Sequence, residues 1–236
     1  MNMLTNDEIS AIFAEAGADH DYENVSAEFT DFIDPKVRWV REGNDIEFRI
    51  SDYFQKAPKE VLEDLAMTMF DRIDRRNDTS YSRRMIDYLT SRSFIEEYQP
   101  VYVSRLPFIT ASPVGKHFDL RDSKNRLIEK GLIRDIPNLF LSWMRVQSYE
   151  HAGRASVLMR TASINCNLDS KLVSNDLMDY VMYSQLVFIQ NGFHPSPRDS
   201  IKGMVDSIKE YPDYKRYDDM LVEMGYRSMI EMFPEC

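Results

Sequence analysis

Residues 174–192, SNDLMDYVMYSQLVFIQNG, carry apolar side chains on every side of a helical wheel, and no other stretch constrains the chain as strongly. A helix that is apolar all round must be buried all round, so the remainder of the chain has to wrap it. Ser174 supplies an N-cap and Asp176 a negative charge in the first turn. Asn191-Gly192 supplies the stop. The spacing predicts a central helix from Leu177 to Ile189 at the least.

Enough chain surrounds it. With 236 residues, 43% of them hydrophobic and 29% charged, the sequence can bury a sizeable core around one such helix. No apolar run reaches the ~18 residues of a membrane span and no signal peptide is visible, so a cytoplasmic location is expected. Cys166 and Cys236 match neither a disulfide framework nor a CxxC knuckle. The net charge of −10 argues against nucleic acid and anionic membranes as partners. Only the local run Arg72, Arg75, Arg76, Arg83, Arg84 and Arg92 could oppose it, and a solvated helix face explains that run more simply.

Along the chain, residues 1–34 read as helical and acidic, with a helix from Asn6 to Ala16 that Gly17 ends. Residues 36–51 read as a hairpin turning at Gly43-Asn44, with Ile46, Phe48 and Ile50 on its buried face. Pro58 opens a helix whose stripe Val61, Leu62, Leu65, Ala66, Met69, Phe70 and Ile73 faces the core. A second helix is expected over 81–97, an extended piece over 101–106 after Pro100, and a helix over 119–130 stopped by Gly131. Residues 139–146 and 160–168 read as strands, the second alternating so regularly that one face should be buried and the other wet. Helices are expected over 199–209 and 213–224. Glu96-Glu97 and Asp218-Asp219 read as solvated helix faces, and no internal repeat is visible.

Within the central helix, Tyr183-Ser184-Gln185-Leu186-Val187-Phe188 resembles the frame in which SprT-like zinc metallopeptidases carry Tyr-His-Glu-Leu-Leu-His. Ser51-Asp52-Tyr53-Phe54, Ala57-Pro58, Phe118-Asp119-Leu120, Leu141-Ser142-Trp143, Gly153-Arg154-Ala155, residues 161–168 and Tyr211-Pro212-Asp213-Tyr214 are similar to other pieces of that family, in the same order. The resemblance implies an α+β, zincin-like fold: a small twisted mixed sheet over a central helix of the active-site type, with additional helices and an edge strand that presents substrate. It implies a helical extension over 1–34 and one domain over 35–236.

In an HExxH helix two histidines four apart ligate zinc and the glutamate is general base to the bound water. At those positions stand Ser184, Phe188 and Gln185, a poor ligand, no ligand and an amide with no basic carboxylate. A third ligand would fall within Ser196, Pro197, Arg198, Asp199 and Ser200, where no histidine is found. The resemblance therefore implies a catalytically degenerate metallopeptidase-like chain without a cofactor, retained as a binding or scaffolding module with a protein or peptide in the former substrate cleft. The alternative is an active zinc-dependent hydrolase with ligands such as His151, His194 and Asp199. A nucleophilic Ser184 served by His151 or His194 lacks the elbow motif such a serine needs.

Overall fold

The computed structural model describes residues 3–74, 80–145, 150–194 and 197–231, with the side chains of 197–202 not described. The fold is α+β: among the described residues there are eight α-helices and two three-stranded mixed sheets. The chain divides into two compact units, residues 1–94 and 95–236. The sequence suggested no boundary inside 35–225, because helix α4 (Arg92–Arg105) carries the chain past the division without a linker.

In the first unit, α1 (Asn6–Ala18) is opened by a capping box between Thr5 and Glu8 and precedes β1 (Asn24–Thr30). Residues 1–34 are thus not a helical extension. They contribute a strand to a sheet, since β1 pairs in parallel with β3 (Asp45–Ser51). Strand β2 (Val37–Glu42) pairs antiparallel with β3 across a turn at Gly43, whose φ of +64° suits glycine. The hairpin is the expected one. After β3 come a single 3-10 turn, Asp52–Phe54, and α2 (Lys59–Ile73), with Pro58 as its N-cap rather than its first residue. Phe13 of α1, Phe48 of β3 and Phe70 of α2 meet at ring-centroid distances of 4.7, 5.2 and 6.5 Å, so the apolar face of the sheet is covered by both helices. Gly17 lies inside α1, not after it. A Cβ there would come within 2.6 Å of Val25 and 3.0 Å of Phe70, so glycine permits the helix to approach β1 and α2.

The predicted helix over 81–97 is two helices, α3 (Arg83–Leu89) and α4 (Arg92–Arg105). Pro100 does not end α4. It sits inside the helix, and the segment expected to be extended is the helix's last turn.

In the second unit, α5 (Leu120–Glu129) is capped by Asp119 and leads to β4 (Phe140–Met144). Strands β5 (Gly153–Ser156) and β6 (Thr161–Asn165) follow, β4 parallel and β5 antiparallel to β6. A 3-10 turn, Cys166–Leu168, ends the alternation expected to continue to residue 168 and leads to the central helix α6 (Asn175–Asn191). Helices α7 (Pro197–Lys209) and α8 (Tyr214–Glu223) complete the unit. All five residues of β6 are buried, so the face expected to be wet is not. Two of its polar side chains are satisfied internally: Ser163 shares a 2.7 Å hydrogen bond with Ser142, and Asn165 Nδ2 donates to the carbonyl of His151.

The two units share an order of elements that the residues do not advertise. Each runs helix, strand, hairpin, 3-10 turn, helix, and each sheet has its third strand in the middle, parallel to the first and antiparallel to the second. The repeat is one of topology, so a search for recurring residue patterns misses it.

Leu65 is among the most deeply buried residues of α2. Leu65→Asp is expected to cost several kcal/mol, because an unpaired carboxylate would enter an apolar site. Urea denaturation followed by circular dichroism measures it, and an unchanged midpoint would contradict this packing.

Candidate functional site

Helix α6 is anchored through polar groups placed among its apolar ones. Ser174 accepts from the Leu177 amide, and Gly192, at φ +83°, ends the helix as expected. One turn in, Asp179 is 0% exposed. Arg126 of α5 grips it in a fork, Nη2 at 2.6 Å and Nε at 3.0–3.1 Å, while Ser123 Oγ donates at 2.7 Å and Lys130 Nζ at 3.2 Å. The hydrogen bonds to this carboxylate hold the Arg126 guanidinium above its usual pKa against the opposing effect of burial.

The next residue, Tyr180, donates to Asp218 of α8 at 3.0 Å, and Asp218 also accepts from Ser228 Oγ and the Met229 amide. Asp218 is buried, which corrects its reading as part of a solvated face; Tyr214 and Leu221, four residues before it and three after, mark that side of α8 as the inward one. Burial raises the phenol pKa of Tyr180, with Asp218 adding to it, and burial likewise raises those of Tyr183 and Tyr211. Tyr183 donates to the Ser207 carbonyl of α7. Thus α6 is tied to α5, α7 and α8.

Ser184, Gln185 and Phe188, the positions that the sequence comparison set against HExxH, lie on the next turns. Ser184 is 3% exposed and its Oγ donates to the Val181 carbonyl of its own helix at 2.8 Å. Gln185 is 7% exposed, donates to Ser184 Oγ at 3.1 Å, and lies under the backbone of β5, where a Cβ on Gly153 would come within 2.9 Å of it. Phe188 is half-buried and packs against the core of the unit. This donor set does not fit zinc: a hydroxyl committed to a carbonyl, an amide beneath a strand, and a phenyl ring. The glycine at 153 is what lets the edge strand rest directly on the helix.

The residues weighed as alternative ligands are placed separately. His194 is exposed and its Nε2 is 3.0 Å from the Asn191 carbonyl oxygen. The side chain of Asp199 is outside the described residues, as are Cys236, Arg75 and Arg76. His151, just before β5, has Nε2 3.8 Å from Glu150, while its Nδ1 is buried without a hydrogen-bond partner. Burial lowers its pKa, and the nearby Arg154 and Arg227 act in the same direction against Glu150. Among the described residues no group of three His, Cys, Asp or Glu side chains is placed to hold a metal ion. Of the arginine run, Arg83 pairs with Asp87 at 2.9 Å, Arg84 lies 3.8 Å from Asp64, and Arg72 stacks over Tyr81.

A second polar constellation, in the first unit, escaped the sequence reading. An open cleft of about 460 Å³ is lined by His20, Asp21, Tyr22, Arg41, Asn44 and Asp74 among others. There the His20 ring stacks on Phe70, its Nδ1 lies 2.8 Å from Asp74, and Tyr22 donates to the same carboxylate at 3.1 Å. These bonds fasten the turn between α1 and β1 to the end of α2. Nothing in the separation of 54 residues between His20 and Asp74 signals the pair.

Compared with protein-family models, with curated proteins and with solved structures, the chain matches none.

Removing the Asp179 carboxylate would leave Arg126 and Lys130 without their buried partner. Asp179→Ala is therefore expected to destabilise the chain by about 3–5 kcal/mol, read from chemical denaturation. For His151, whose folded pKa lies below the ordinary 6.5, the neutral form is the one the fold prefers. The unfolded chain then binds more protons, so stability is expected to fall as pH drops below about 6.5 and to level off below the folded pKa. Imidazole titration by NMR measures the midpoint; one at or above 6.5 would contradict the burial described.

Proposed function

We propose that this chain is a catalytically inactive, zincin-like binding module that holds an extended peptide or protein segment along the edge strand β5. The observation that carries the reading is the placement of β5 on α6: Gly153 rests on Gln185, the position of the lost general base. The resemblance to SprT-like metallopeptidases puts a substrate-presenting edge strand there. Strand β5 is the edge of its sheet, with β6 on one side. The Asn165 amide bonds to the Ala152 carbonyl, and with the antiparallel register this turns the amides and carbonyls of Gly153 and Ala155 outward. An extended chain adds to such an edge through its backbone, with side-chain preferences set by alternate positions.

The lack of catalysis in this reading follows from residue chemistry. Ser184, Gln185 and Phe188 cannot supply two ligands and a base, and their environment is closed by packing. A zinc hydrolase built from His151, His194 and Asp199 has less support, since His194 sits against a backbone carbonyl and His151 lies beside Glu150.

Ala155→Pro tests the binding mode, because it deletes an outward amide and leaves the ladder to β6 in place. Peptides selected from a random displayed library against the full chain are expected to lose at least about tenfold in affinity for Ala155→Pro, while the melting temperature changes little. Selected binders indifferent to this substitution would overturn the proposed edge. Isothermal titration of the wild type with Zn²⁺ is expected to give no stoichiometric binding; tight binding would overturn the inactive reading.

A further inference from the structure

The sheet of the first unit has two edges, treated differently by the chain. Along β1, the outer edge is covered by α1: Ser10 Oγ accepts from the Ala27 amide at 3.1 Å and Asn6 Oδ1 from the Phe29 amide at 3.0 Å. Along β2 there is no such cover among the described residues. The Ser51 amide bonds to the Lys36 carbonyl, so with the antiparallel register residues 36, 38, 40 and 42 face β3 and Val37, Trp39 and Arg41 turn their backbone groups outward. Among the described residues those outward groups have no hydrogen-bond partner. Trp39 is 48% and Val40 63% exposed, on opposite faces of this edge. A six-residue edge of this kind is a template for another strand.

Its charges select the strand. On the face away from the helices, Arg38 is directly opposite Arg49 and Glu42 directly opposite Asp45, two like-charge pairs that oppose the hairpin. Arg49 is relieved by Glu28 at 3.2 Å and Asp45 by the Asn24 amide at 2.7 Å. Among the described residues, Arg38 and Glu42 have no partner of opposite charge; Arg38 only lies over the Phe32 ring. An antiparallel copy of the same strand, with Val40 opposite Val40, puts Arg38 of each copy opposite Glu42 of the other. Both unrelieved charges are then paired at once. The same register puts Trp39 opposite Arg41 of the second copy as a hydrogen-bonded pair, which supplies four backbone hydrogen bonds about the two-fold axis. Shifting the register by two residues, to put Trp39 opposite Trp39, would leave Arg38 opposite Val40.

We propose that β2 is a self-association edge, through which two copies of this chain join their first-unit sheets into one six-stranded sheet centred on Val40. The interface is self-complementary, as a two-fold contact requires. It is also small, below the ~1,200 Å² of stable complexes, so the association is weak and reversible.

Sedimentation equilibrium of the full chain from about 10 μM to about 1 mM, the range where weak interfaces form, tests the proposal. A monomer–dimer equilibrium is expected. Arg38→Glu should weaken it roughly tenfold, since two attractive cross-strand pairs become repulsive. Arg38→Glu combined with Glu42→Arg should restore self-association. A mixture of this double variant with wild type should form no mixed dimer, because like charges then meet at both positions. That mixing result does not depend on the single variant folding well. A chain that stays monomeric to about 1 mM, a dimer indifferent to Arg38→Glu, or free mixing of the two forms would each overturn the proposal.

Discussion

A carboxylate with no contact with water, Asp179, is the constraint on which the second unit depends. Three residues converge on it: Ser123 and Arg126 of α5, the latter through both Nε and Nη2, and Lys130 at the end of that helix. A buried ion pair of this kind is rarely worth much against an apolar pair of equal volume. What it does is make wrong docking costly. A slip of α5 by one residue along α6 would strand a charge in the core, whereas a slip between two purely apolar faces would cost only packing. Asp218 plays the same part for α8 through Tyr180, so neighbouring residues of α6 specify the positions of two different helices.

This anchoring explains why α6 is closed around Ser184 and Gln185. A turn that holds a catalytic zinc must face a cleft that admits water and substrate. Here Ser184 turns back on its own helix and Gln185 is roofed by Gly153, so the polar atoms that remain are consumed inside the protein. Beside that turn runs β5, buried at Gly153 and half-buried at Ala155. The first unit repeats the arrangement of strands, with β2 where β5 would be, and leaves its edge more open. Two edges of like topology thus carry different chemistry. That of β5 is small and neutral at Gly153 and Ala155, while that of β2 bears Trp39 in a strand that also carries Arg38, Arg41 and Glu42.

Much of the secondary structure was legible because it rests on local chemistry. The caps Ser174 and Asp119, the turn at Gly43, and the 3.6-residue stripe of α2 are all decided within a few residues of themselves. The misreadings have a common cause. Pro100 continues a helix because its missing amide can be tolerated in context, β1 escapes notice because its pairing partner lies 21 residues away, and the polar face of β6 is buried because Ser142 and His151 meet its hydroxyls and amides. A polar side chain reads as wet until its partner is known.

The sequence by itself determined that residues 174–192 form a buried helix and that Ser184, Gln185 and Phe188 lack the chemistry of a zinc centre, because periodicity and functional groups are properties of the residues alone. It could not say which charges are inside. Asp179 and Asp176 are the same residue type three positions apart, yet one is sealed in a guanidinium fork and the other is at the surface. Only the tertiary structure decides that, because burial and pairing depend on distances between segments some 50 residues apart, which no local pattern encodes.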